Sequence, residues 1–279
     1  MSHSCVVIIV TYNSQKHIQW ALDGLETSIN KLLVRIVDSG STDTSYLDAL
    51  KTKHELIIEK HDNVGFVAGN NLAIERSGSS EWILLLNPDA RIEGSDLDKL
   101  LDIAGDKRNK EVALFSVPLV RFDINTMKSL SVYDSLGIRC NSYGKWYDIG
   151  TNETIKSPPS ELHSNNIDAI CGAFMLLRTK ALIQCTDKQG NVGFESSYFM
   201  YKEDIELSMR LQKNNWGIKL IDNLNAYHCR GWNPSRSKIP YWARYHSAIN
   251  DLDLSIRYKK RAFPYALTKY LWVKFIENK

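Results

Sequence analysis

The sequence shows little excess charge of either sign. Its 279 residues include 35 basic and 32 acidic side chains, which gives a formal net charge of +3. Domains that bind nucleic acids through their phosphates are much more basic. The charge balance therefore excludes a general nucleic-acid binder. The length is sufficient for one large α/β domain, or for one domain with a small appendage.

Cysteine is scarce, and the few cysteines form no known framework. There are five, an odd number, and no two have the C-x-x-C spacing of a zinc or redox motif. They are Cys5, Cys140, Cys171, Cys185 and Cys229. We predict reduced thiols in a cytoplasmic protein, and neither disulfide bonds nor a structural zinc site.

We expect no secretory leader, and the sequence has neither a long apolar run nor the glycine motifs of common nucleotide-binding folds. The first apolar run, residues 6–10, has no basic flank and is too short for a leader. No apolar stretch approaches the roughly 20 residues of a membrane-spanning helix. The absence of G-x-G-x-x-G after this run, and of G-x-x-x-x-G-K-[ST] anywhere, excludes a dinucleotide-binding dehydrogenase and a P-loop enzyme. Any contact with a membrane is therefore expected from its surface.

Short apolar runs alternate with helical patterns in the first half of the chain. Strands are predicted at residues 6–10, 34–37, 56–58, 82–86 and 112–117, and helices at residues 18–32, 46–51, 67–77 and 97–104. This alternation is typical of βαβ units, in which helices flank a mostly parallel sheet. Ligands bind such sheets at the carboxyl ends of the strands.

The second half is less regular. Residues 121–164 are rich in Ser, Asn, Tyr and Gly, which predicts loops with short strands. Beyond them, the pattern predicts a strand at residues 169–177, a helix at residues 204–213 and a basic, aromatic helical stretch at residues 241–279.

Two polar clusters follow the first two predicted strands. The first is Thr11, Tyr12 and Asn13, and the second begins at Asp38 and runs to residue 43. Taken singly, either is an ordinary polar turn. Taken together, they place at adjacent strand ends a carboxylate that can accept the N–H of a pyrimidine ring.

Two further clusters suit a diphosphate and its cation. The segment 63–71 contains Gly65, which permits close backbone approach, and it opens a helix whose N-terminus can face an anion. Asn87, Pro88 and Asp89 follow a buried strand, where a carboxylate can hold Mg²⁺ or Mn²⁺ together with substrate phosphates. A plain glycine-containing loop and a capping aspartate are the alternatives.

Two carboxylates and an imidazole in the second half complete the candidate set. Glu203 and Asp204 follow an aromatic run and enter a helix, so a carboxylate there can accept the proton of an attacking hydroxyl. The helix N-terminus is expected to lower their pKa, which keeps them ionised but weakens them as bases. His228 is a candidate ligand for the same cation. Simple helix-terminal charge and a structural histidine are the alternatives.

In this order, the motifs resemble those of family 2 glycosyltransferases. They read V-T-Y-N, V-D-S-G-S-T-D, N-V-G-F-V-A-G-N-N, L-N-P-D, C-G-A-F-M-L, F-M-Y-K-E-D-I-E-L-S-M-R and H-C-R-G, and they cover about residues 5–235. The closer likeness is to the rhamnosyltransferase branch, which builds bacterial surface polysaccharides. The resemblance implies a GT-A fold, an α/β fold with one mostly parallel central sheet flanked by helices, here with a C-terminal helical extension.

The resemblance also implies a division of the chain and a reaction. A transferase domain would occupy residues 1–237, with a nucleotide-binding half at 1–118 and an acceptor half at 119–237, followed by a helical segment at 238–279. Such an enzyme moves a sugar with inversion from a nucleotide diphosphate sugar, commonly dTDP-L-rhamnose in this branch. The acceptor would be a hydroxyl of a glycan linked to undecaprenyl diphosphate, at the inner face of the plasma membrane.

Residue roles follow from the same resemblance. Asp204 matches the catalytic base, with Glu203 beside it, and the cation, Mg²⁺ or Mn²⁺, would be held by Asp89 and His228. Asn87 stands where the family's D-x-D motif has its first carboxylate, which leaves one carboxylate fewer for the cation. The residues implied on the donor side are Thr11, Tyr12, Asn13, Asp38, Gly65, Asn71, Asn87 and Asp89. Those implied in the sugar and acceptor pocket are Cys171, Gly172, Ala173 and Tyr201.

The sequence leaves two alternative functions open. The same fold can use UDP-galactose, UDP-N-acetylglucosamine or UDP-galactofuranose, because a carboxylate at Asp38 does not separate dTDP from UDP. The second alternative is a nucleotide-sugar-binding protein without turnover. The joint presence of Asp89, Glu203, Asp204 and His228 argues against it.

The C-terminal stretch interleaves Lys and Arg with Tyr, Trp and Phe from residue 257 onward. This composition is typical of a surface that binds an anionic bilayer. The alternative is a helix whose rings pack on the domain, or on another subunit of a homo-oligomer. The acceptor implied by the resemblance favours the membrane, and we expect a cytoplasmic protein that is peripheral on its inner face.

Overall fold

The structure is a computed structural model that describes residues 3–155, 167–230 and 239–277. The strands, in chain order, are β1 (Cys5–Thr11), β2 (Leu32–Ser39), β3 (Glu55–His61), β4 (Trp82–Leu86), β5 (Ala90–Arg91), β6 (Val112–Ser116), β7 (Leu119–Asp123), β8 (Lys128–Ser135), β9 (Ile138–Cys140), β10 (Trp146–Asp148), β11 (Phe174–Arg178), β12 (Gly217–Leu220) and β13 (Ala226–His228). The helices are α1 (Ile18–Leu25), α2 (Ser45–Asp48), α3 (Gly65–Glu75), α4 (Gly94–Gly105), α5 (Thr179–Gln184), α6 (Glu203–Lys213), α7 (Tyr241–Arg257) and α8 (Phe263–Phe275).

A seven-stranded sheet with the order β12-β6-β11-β4-β1-β2-β3 forms the centre of the fold. Strands β4, β1, β2 and β3 are parallel to one another, and β12 is parallel to β6. Only β11 in this sheet runs antiparallel to its neighbours, β4 and β6. The predicted α/β fold with a mostly parallel central sheet and flanking helices is therefore confirmed.

The sheet is buried on both faces because its central strands, β11, β4 and β1, are apolar at nearly every position. Side chains of a strand alternate between faces. In β1, Val7 and Ile9 pack into a cluster with Leu22 of α1 and Leu97 of α4. The alternate residues of β1 pack in a second cluster on the other face, together with Val67 of α3. Full burial of one such aliphatic side chain stabilises the fold by about 1.5–3 kcal/mol.

A second sheet, with the order β5-β13-β7-β8, extends the fold beyond the central sheet. Strand β13 pairs antiparallel with β5, which places His228 opposite Ala90. On its other side, β13 pairs parallel with β7. Strands β9 and β10 form a separate antiparallel pair. The region predicted as loops with short strands thus contains β8, β9 and β10, and its residues 156–164 lie outside the described part.

Two predicted element boundaries differ from the structure by five residues or more, and tertiary contacts explain both. The first helix ends at Leu25, not at residue 32, because Asp98 of α4 accepts hydrogen bonds from Ser28 Oγ at 2.6 Å and from Ile29 N at 2.7 Å. These bonds divert the chain toward β2. The strand predicted from residue 169 begins only at Phe174, because the residues before it turn toward α6.

The C-terminal stretch is helical, as predicted, and forms α7 and α8, which pack on each other. Asn250 of α7 donates to the backbone oxygen of Tyr201 at 2.7 Å, so α7 also holds the segment that precedes α6. The boundary predicted at residue 237 lies outside the described residues, and the division into two halves stays a prediction. The described part of the chain contains no helix with the length and hydropathy that a membrane crossing requires.

Candidate active site

A cavity of about 390 Å³ lies between the end of β4, the second sheet and the start of α6. Predicted residues from distant parts of the sequence meet there. The lining includes Asn87, Cys171, Gly172, Ala173, Tyr201, Glu203, Asp204 and His228. It also includes Phe66, Asp134, Trp146, Asp148, Lys202 and Arg230, which the sequence did not single out for the site.

Asp204 is the second residue of α6, and both of its carboxylate oxygens are held by backbone N–H groups. Oδ2 accepts from Gly172 N at 2.9 Å, and Oδ1 accepts from Ile205 N at 2.8 Å. Burial raises the pKa of Asp204, although the Gly172 hydrogen bond and the charge of Lys202 act in the other direction. The expectation that the helix N-terminus lowers this pKa is therefore wrong, because burial outweighs it. A raised pKa makes the carboxylate a better proton acceptor near neutral pH.

Gly172 leaves little room between its backbone and Asp204. A Cβ built at Gly172 would lie 3.2 Å from Asp204 Cβ and 3.3 Å from Asp204 Oδ2. Such distances are closer than ordinary van der Waals contact. The glycine thus lets the backbone N–H reach the carboxylate, and any side chain at this position would push on Asp204.

Glu203, the first residue of α6, places a carboxylate in the cavity wall without a partner for one of its oxygens. Its Oε2 is buried and makes no hydrogen bond within the described residues. Burial, followed by the neighbouring charge of Asp204, raises the pKa of Glu203 to about 8. Two adjacent buried carboxylates repel each other when both are ionised. The raised pKa favours the protonated form of Glu203, which can donate a hydrogen bond.

The turn that leads into α6 is strained. Tyr201 and Lys202 have φ values of 68° and 70°, a region that residues with a Cβ rarely adopt. Two successive residues of this kind cost on the order of 1–3 kcal/mol each, so the surroundings must hold them. Asn250 supplies part of this support, since its side chain donates to the backbone oxygens of Tyr201 and Met200. The strain lies directly before Glu203 and Asp204, and the Lys202 side chain lines the cavity with them.

His228 joins two carboxylates at the other side of the cavity. Its Nε2 lies 3.4 Å from Asp89 Oδ1, and its Nδ1 lies 2.8 Å from Asp134 Oδ2. Burial acts to lower the pKa of His228, but the hydrogen bonds of Asp134 and Asp89 outweigh it and raise the pKa to about 9. The pKa of Asp89 is lowered, because the hydrogen bond and the charge of His228 outweigh the effect of burial.

This arrangement fits a hard divalent cation that is shared with a substrate. In the described ranges, 3–155, 167–230 and 239–277, no three His, Cys, Asp or Glu side chains are grouped as a metal site of their own. Mg²⁺ and Mn²⁺ bind commonly through one or two protein ligands plus phosphate oxygens. Without a cation, the raised pKa keeps His228 protonated and Nε2 faces Asp89. A cation at Nε2 would displace that proton, and Asp134 at Nδ1 would then hold the ring in the tautomer typical of metal-binding histidines. Asp89 and Nε2 together are the pair of ligands that fits.

Arg230 extends the charged network along the cavity wall. It donates to Asp134 Oδ1 at 3.0 Å and to Asp148 Oδ2 at 2.9 Å. Asp148 also contributes to the electrostatic environment of Asp204, whose pKa it raises. Sequence reasoning missed Asp134, Asp148 and Arg230. The two aspartates lie in the irregular region, where no spacing marks them, whereas Arg230 stands two residues after His228 in a motif already noted.

The residues predicted to hold the base form a separate polar edge. Thr11 and Asp38 lie opposite each other at the ends of β1 and β2, and Thr11 Oγ1 donates to Asp38 Oδ1 at 3.0 Å. Asn13 binds the same loop, since its N donates to Ser41 Oγ at 2.7 Å. Tyr12 is exposed. None of the four predicted residues, Thr11, Tyr12, Asn13 and Asp38, is among the described residues that line the cavity.

Gly65 connects this edge to the cavity, whereas Asn71 does not lie there. Gly65 N donates to Ser39 Oγ at 3.1 Å, and the next residue, Phe66, lines the cavity. The side chain of Asn71 instead bonds both backbone groups of Phe194, at 2.8 and 2.9 Å, and lines a second cavity of about 560 Å³. The donor contact predicted for Asn71 therefore has no support from its position.

The comparison with protein families decides between the functional classes. The profile described as glycosyl transferase family 2 matches residues 6–185, more than half of the chain. The chain belongs to glycosyl transferase family 2. This family 2 glycosyltransferase is accordingly an enzyme of the hexosyltransferase type, as the sequence motifs predicted.

Relatives of this glycosyltransferase carry rhamnosyltransferase names. An N-acetylglucosaminyl-diphospho-decaprenol L-rhamnosyltransferase of Mycobacterium tuberculosis is 24% identical over 258 residues, which cover 87% of this chain and 81% of that protein. Rhamnosyltransferase WbbL of Escherichia coli is 24% identical over 237 residues, which cover 80% and 82%. The likeness to the rhamnosyltransferase branch is thereby confirmed at low identity.

Solved structures of transferases share the fold of this glycosyltransferase. TarS 1-349 of S. aureus in complex with UDP-GlcNAc matches with a TM-score of 0.58 and 17% identity, over 97% of this chain and 73% of that chain. The mannosyltransferase PcManGT from Pyrobaculum calidifontis, in complex with GDP-Man and Mn²⁺, matches with a TM-score of 0.58 and 15% identity, over 99% and 71%. At these identities the likeness shows the fold alone.

Proposed function

We propose that this enzyme transfers L-rhamnose, with inversion, from dTDP-L-rhamnose to a hydroxyl of a lipid-linked bacterial surface glycan. One observation carries the proposal: Asp204 lies in the same cavity as His228, the residue that contacts Asp89. Asp204 and His228 thus face one cavity large enough for the reacting part of a nucleotide sugar. Asp89 is not among the described residues that line this cavity, and it adjoins the cavity through its contact with His228.

Asp204 is the proposed general base. Its carboxylate accepts the proton of the acceptor hydroxyl while that oxygen attacks the anomeric carbon from the face opposite the leaving diphosphate, and a single displacement inverts the configuration. The Gly172 N–H fixes the direction of the carboxylate. Glu203, protonated near neutral pH, donates its proton in a hydrogen bond to a sugar or acceptor oxygen. The pocket residues Cys171, Ala173 and Tyr201 line the same wall.

Asp89 and His228 are proposed to hold the cation, Mg²⁺ or Mn²⁺, with Asn87 beside them. When bound, such a cation neutralises charge on the leaving diphosphate. Asp134 orients His228, and Arg230 holds Asp134 in place. The mannosyltransferase PcManGT, which shares the fold, is in complex with Mn²⁺, and this supports a divalent cation for this chain.

Thr11, Tyr12, Asn13 and Asp38 are proposed to hold the pyrimidine base and its ribose. Asp38 Oδ1 already accepts from protein hydroxyls, whereas Oδ2 accepts from Ser41 N at 2.9 Å and keeps a further lone pair for the base. Gly65 lies between this edge and the cavity, where a diphosphate would run. We also propose that the nucleotide-binding half ends at residue 118 and the transferase domain at residue 237.

Rhamnose is favoured as the donor sugar by the names of the two relatives, and a diphospho-polyprenol glycan is favoured as the acceptor by one of them. The UDP sugars are the second candidate, because TarS, which shares the fold, is in complex with UDP-GlcNAc. A cytoplasmic enzyme on the inner face of the plasma membrane fits the lipid-linked acceptor.

A donor panel tests the proposed function. The purified full chain would be titrated calorimetrically with dTDP-L-rhamnose, UDP-N-acetylglucosamine, UDP-galactose and UDP-galactofuranose, each with Mn²⁺ and with EDTA. Nucleotide release would be followed with a polyprenyl-diphosphate N-acetylglucosamine acceptor. We expect tightest binding and release with dTDP-L-rhamnose, both dependent on Mn²⁺. Preferred turnover of a UDP sugar would replace rhamnose as the donor, and binding without turnover of any donor would contradict the proposed reaction on this acceptor.

A further inference from the structure

Helix α8 exposes an apolar face instead of covering it. Its buried residues, Ala266 and Val273, are small or medium in size and lie on the side that packs toward the protein. The opposite side exposes large apolar residues at helical spacing. They are Tyr265, Leu271, Trp272, Phe275 and, just past the last residue of the helix, Ile276. We call these five residues the α8 apolar face.

Such a face is unusual on a protein surface. A surface helix normally turns its apolar stripe inward and its charged residues outward, and contiguous exposed apolar patches mark interaction sites. Exposed fractions are 43% for Leu271, 54% for Trp272 and 63% for Phe275, so these side chains are not half-buried core residues. The face is built to be covered by something outside the described residues of this chain.

The charges around the α8 apolar face select the kind of partner. Residues 254–276 contain six basic residues and no acidic residue. Arg257, Lys259 and Lys269 form ion pairs with carboxylates elsewhere in the fold, so Lys260, Arg261 and Lys274 carry the argument for an anionic partner. Lys260 and Arg261, directly before the helix, are exposed. Basic residues beside aromatic rings suit an anionic lipid surface, in which rings enter the headgroup region and cations meet lipid phosphates. A second copy of this chain would bring equally basic surfaces together, which disfavours self-association.

Helix α7 connects this segment to the catalytic cavity. Ser247 of α7 lines the cavity. Trp242 of α7 is exposed, and its ring stacks on that of Tyr201, another cavity residue, with centroids 6.3 Å apart. Because α8 packs on α7, a lipid surface that binds α8 would also lie close to the cavity.

We propose that the α8 apolar face lies in the headgroup region of an anionic bilayer and holds the enzyme at the membrane surface. The helix has 13 residues and is about 20 Å long at 1.5 Å per residue, so it lies on the bilayer and does not cross it. The purpose of this contact, delivery of a lipid-linked acceptor, rests on the proposed function. The contact itself is testable without any sugar nucleotide.

Vesicle flotation tests the contact. The full chain would be mixed with vesicles of phosphatidylcholine alone or with 30% phosphatidylglycerol, at low and high salt. We compare wild type with the triple variant Leu271→Gln/Phe275→Gln/Ile276→Gln. The matched control is Ile29→Gln/Met127→Gln/Leu130→Gln, which removes three exposed apolar side chains outside the C-terminal helices. Glutamine preserves helix propensity, and thermal melting would check that each variant is folded.

We expect wild type and control to float with anionic vesicles, and the α8 triple variant to bind at least about tenfold more weakly. Equal flotation of the α8 variant and wild type would overturn the proposal. The proposal would also be overturned if wild type does not float and instead forms a dimer, measured by light scattering, that only the α8 variant disrupts.

A second measurement avoids reliance on the multiple variant. Brominated phosphatidylcholine in the anionic vesicles quenches a tryptophan that enters the bilayer. We expect strong quenching in wild type and the loss of most of it in Trp272→Phe, which keeps an apolar ring at this position. Quenching that is unchanged by Trp272→Phe would contradict insertion of this face. Because neither experiment contains donor or acceptor, a failed donor panel and a failed vesicle assay are distinguishable.

Discussion

The backbone N–H of Gly172 donates to Asp204 Oδ2 over 2.9 Å, and a Cβ at Gly172 would lie 3.2 Å from Asp204 Cβ. This contact brings a loop before β11 against the first turn of α6, 32 residues later in the sequence. It also explains why the chain turns at residues 171–173, where the sequence pattern predicts a continuous strand. The direction of the candidate base is therefore set by a residue without a side chain.

We expect Gly172→Ala to lower kcat by up to about tenfold with a small change of KM. The added methyl group would shift the Asp204 carboxylate by a few tenths of an ångström, whereas a misplacement of about 1 Å would cost about a hundredfold. Steady-state kinetics would measure it. Gly105→Ala is the matched control, because a Cβ there has no atom within 4 Å. Equal activity of the two variants would remove Gly172 from the positioning of Asp204.

Glu203→Gln is expected to stabilise the protein above neutral pH. The folded-state pKa of Glu203 is about 8, above its ordinary value of 4.5. The folded state thus binds this proton more tightly, and the associated stability is complete below pH 4.5 and is lost as the pH rises through 8. Glutamine does not ionise, so the stability of the variant does not fall in this way as the pH rises.

Melting temperatures between pH 5 and pH 9 check this prediction. The melting temperature of the variant should exceed that of wild type by a margin that widens toward pH 9. This margin should reach several degrees, at roughly 2–4 °C for each kcal/mol. Glu111→Gln, at an exposed position, should leave the wild-type curve almost unchanged. Parallel curves for Glu203→Gln and wild type would mean that Glu203 is ionised at neutral pH.

The sequence predicted the central sheet well because β1, β2 and β4 are apolar at nearly every position, a local signal that needs no knowledge of neighbours. The sequence also singled out Asp204 and His228, which stand in recognisable motifs and lie in one cavity, and their chemical roles stay predictions. It could not predict that Asp134 supports His228, because the two are brought together by strand pairing across 94 residues. The raised pKa of Asp204 was missed for a related reason: burial depends on the whole fold, whereas the helix N-terminus is visible in the sequence.

Asp134→Asn is expected to weaken Mn²⁺-dependent binding of the donor by about tenfold to a hundredfold. Asparagine keeps the shape but removes the charge that holds His228 Nδ1 and Arg230. Titration calorimetry with and without Mn²⁺ would separate metal-dependent from metal-independent affinity. Asp102→Asn, at an exposed position of α4, serves as the control. An unchanged dependence on Mn²⁺ in the Asp134 variant would place the cation elsewhere.

Arg257 of α7 neutralises two buried carboxylates, one of which belongs to α6. It donates to Glu195 Oε2 at 2.8 Å and to Glu206 Oε1 at 2.9 Å, and both glutamate side chains are fully buried. Removing one partner of a buried ion pair typically costs about 3–5 kcal/mol. We expect Arg257→Ala to lower the free energy of unfolding by an amount near the lower end of this range, because Arg210 still neutralises Glu206.

Urea denaturation would measure the effect of Arg257→Ala. Arg257→Lys keeps the charge but cannot form both bonds with one planar group, and it should give an intermediate loss. A loss below about 1 kcal/mol for the alanine variant would show that the two glutamates do not depend on this arginine.

The central claim is that Asp204 takes the acceptor proton in a cavity it shares with the donor. Asp204→Asn keeps an oxygen for the Gly172 N–H but removes the proton acceptor. Its kcat should fall by about a hundredfold to ten-thousandfold, while the calorimetric affinity for dTDP-L-rhamnose with Mn²⁺ stays within about twofold of wild type. Turnover near the wild-type rate in this folded variant would contradict the account.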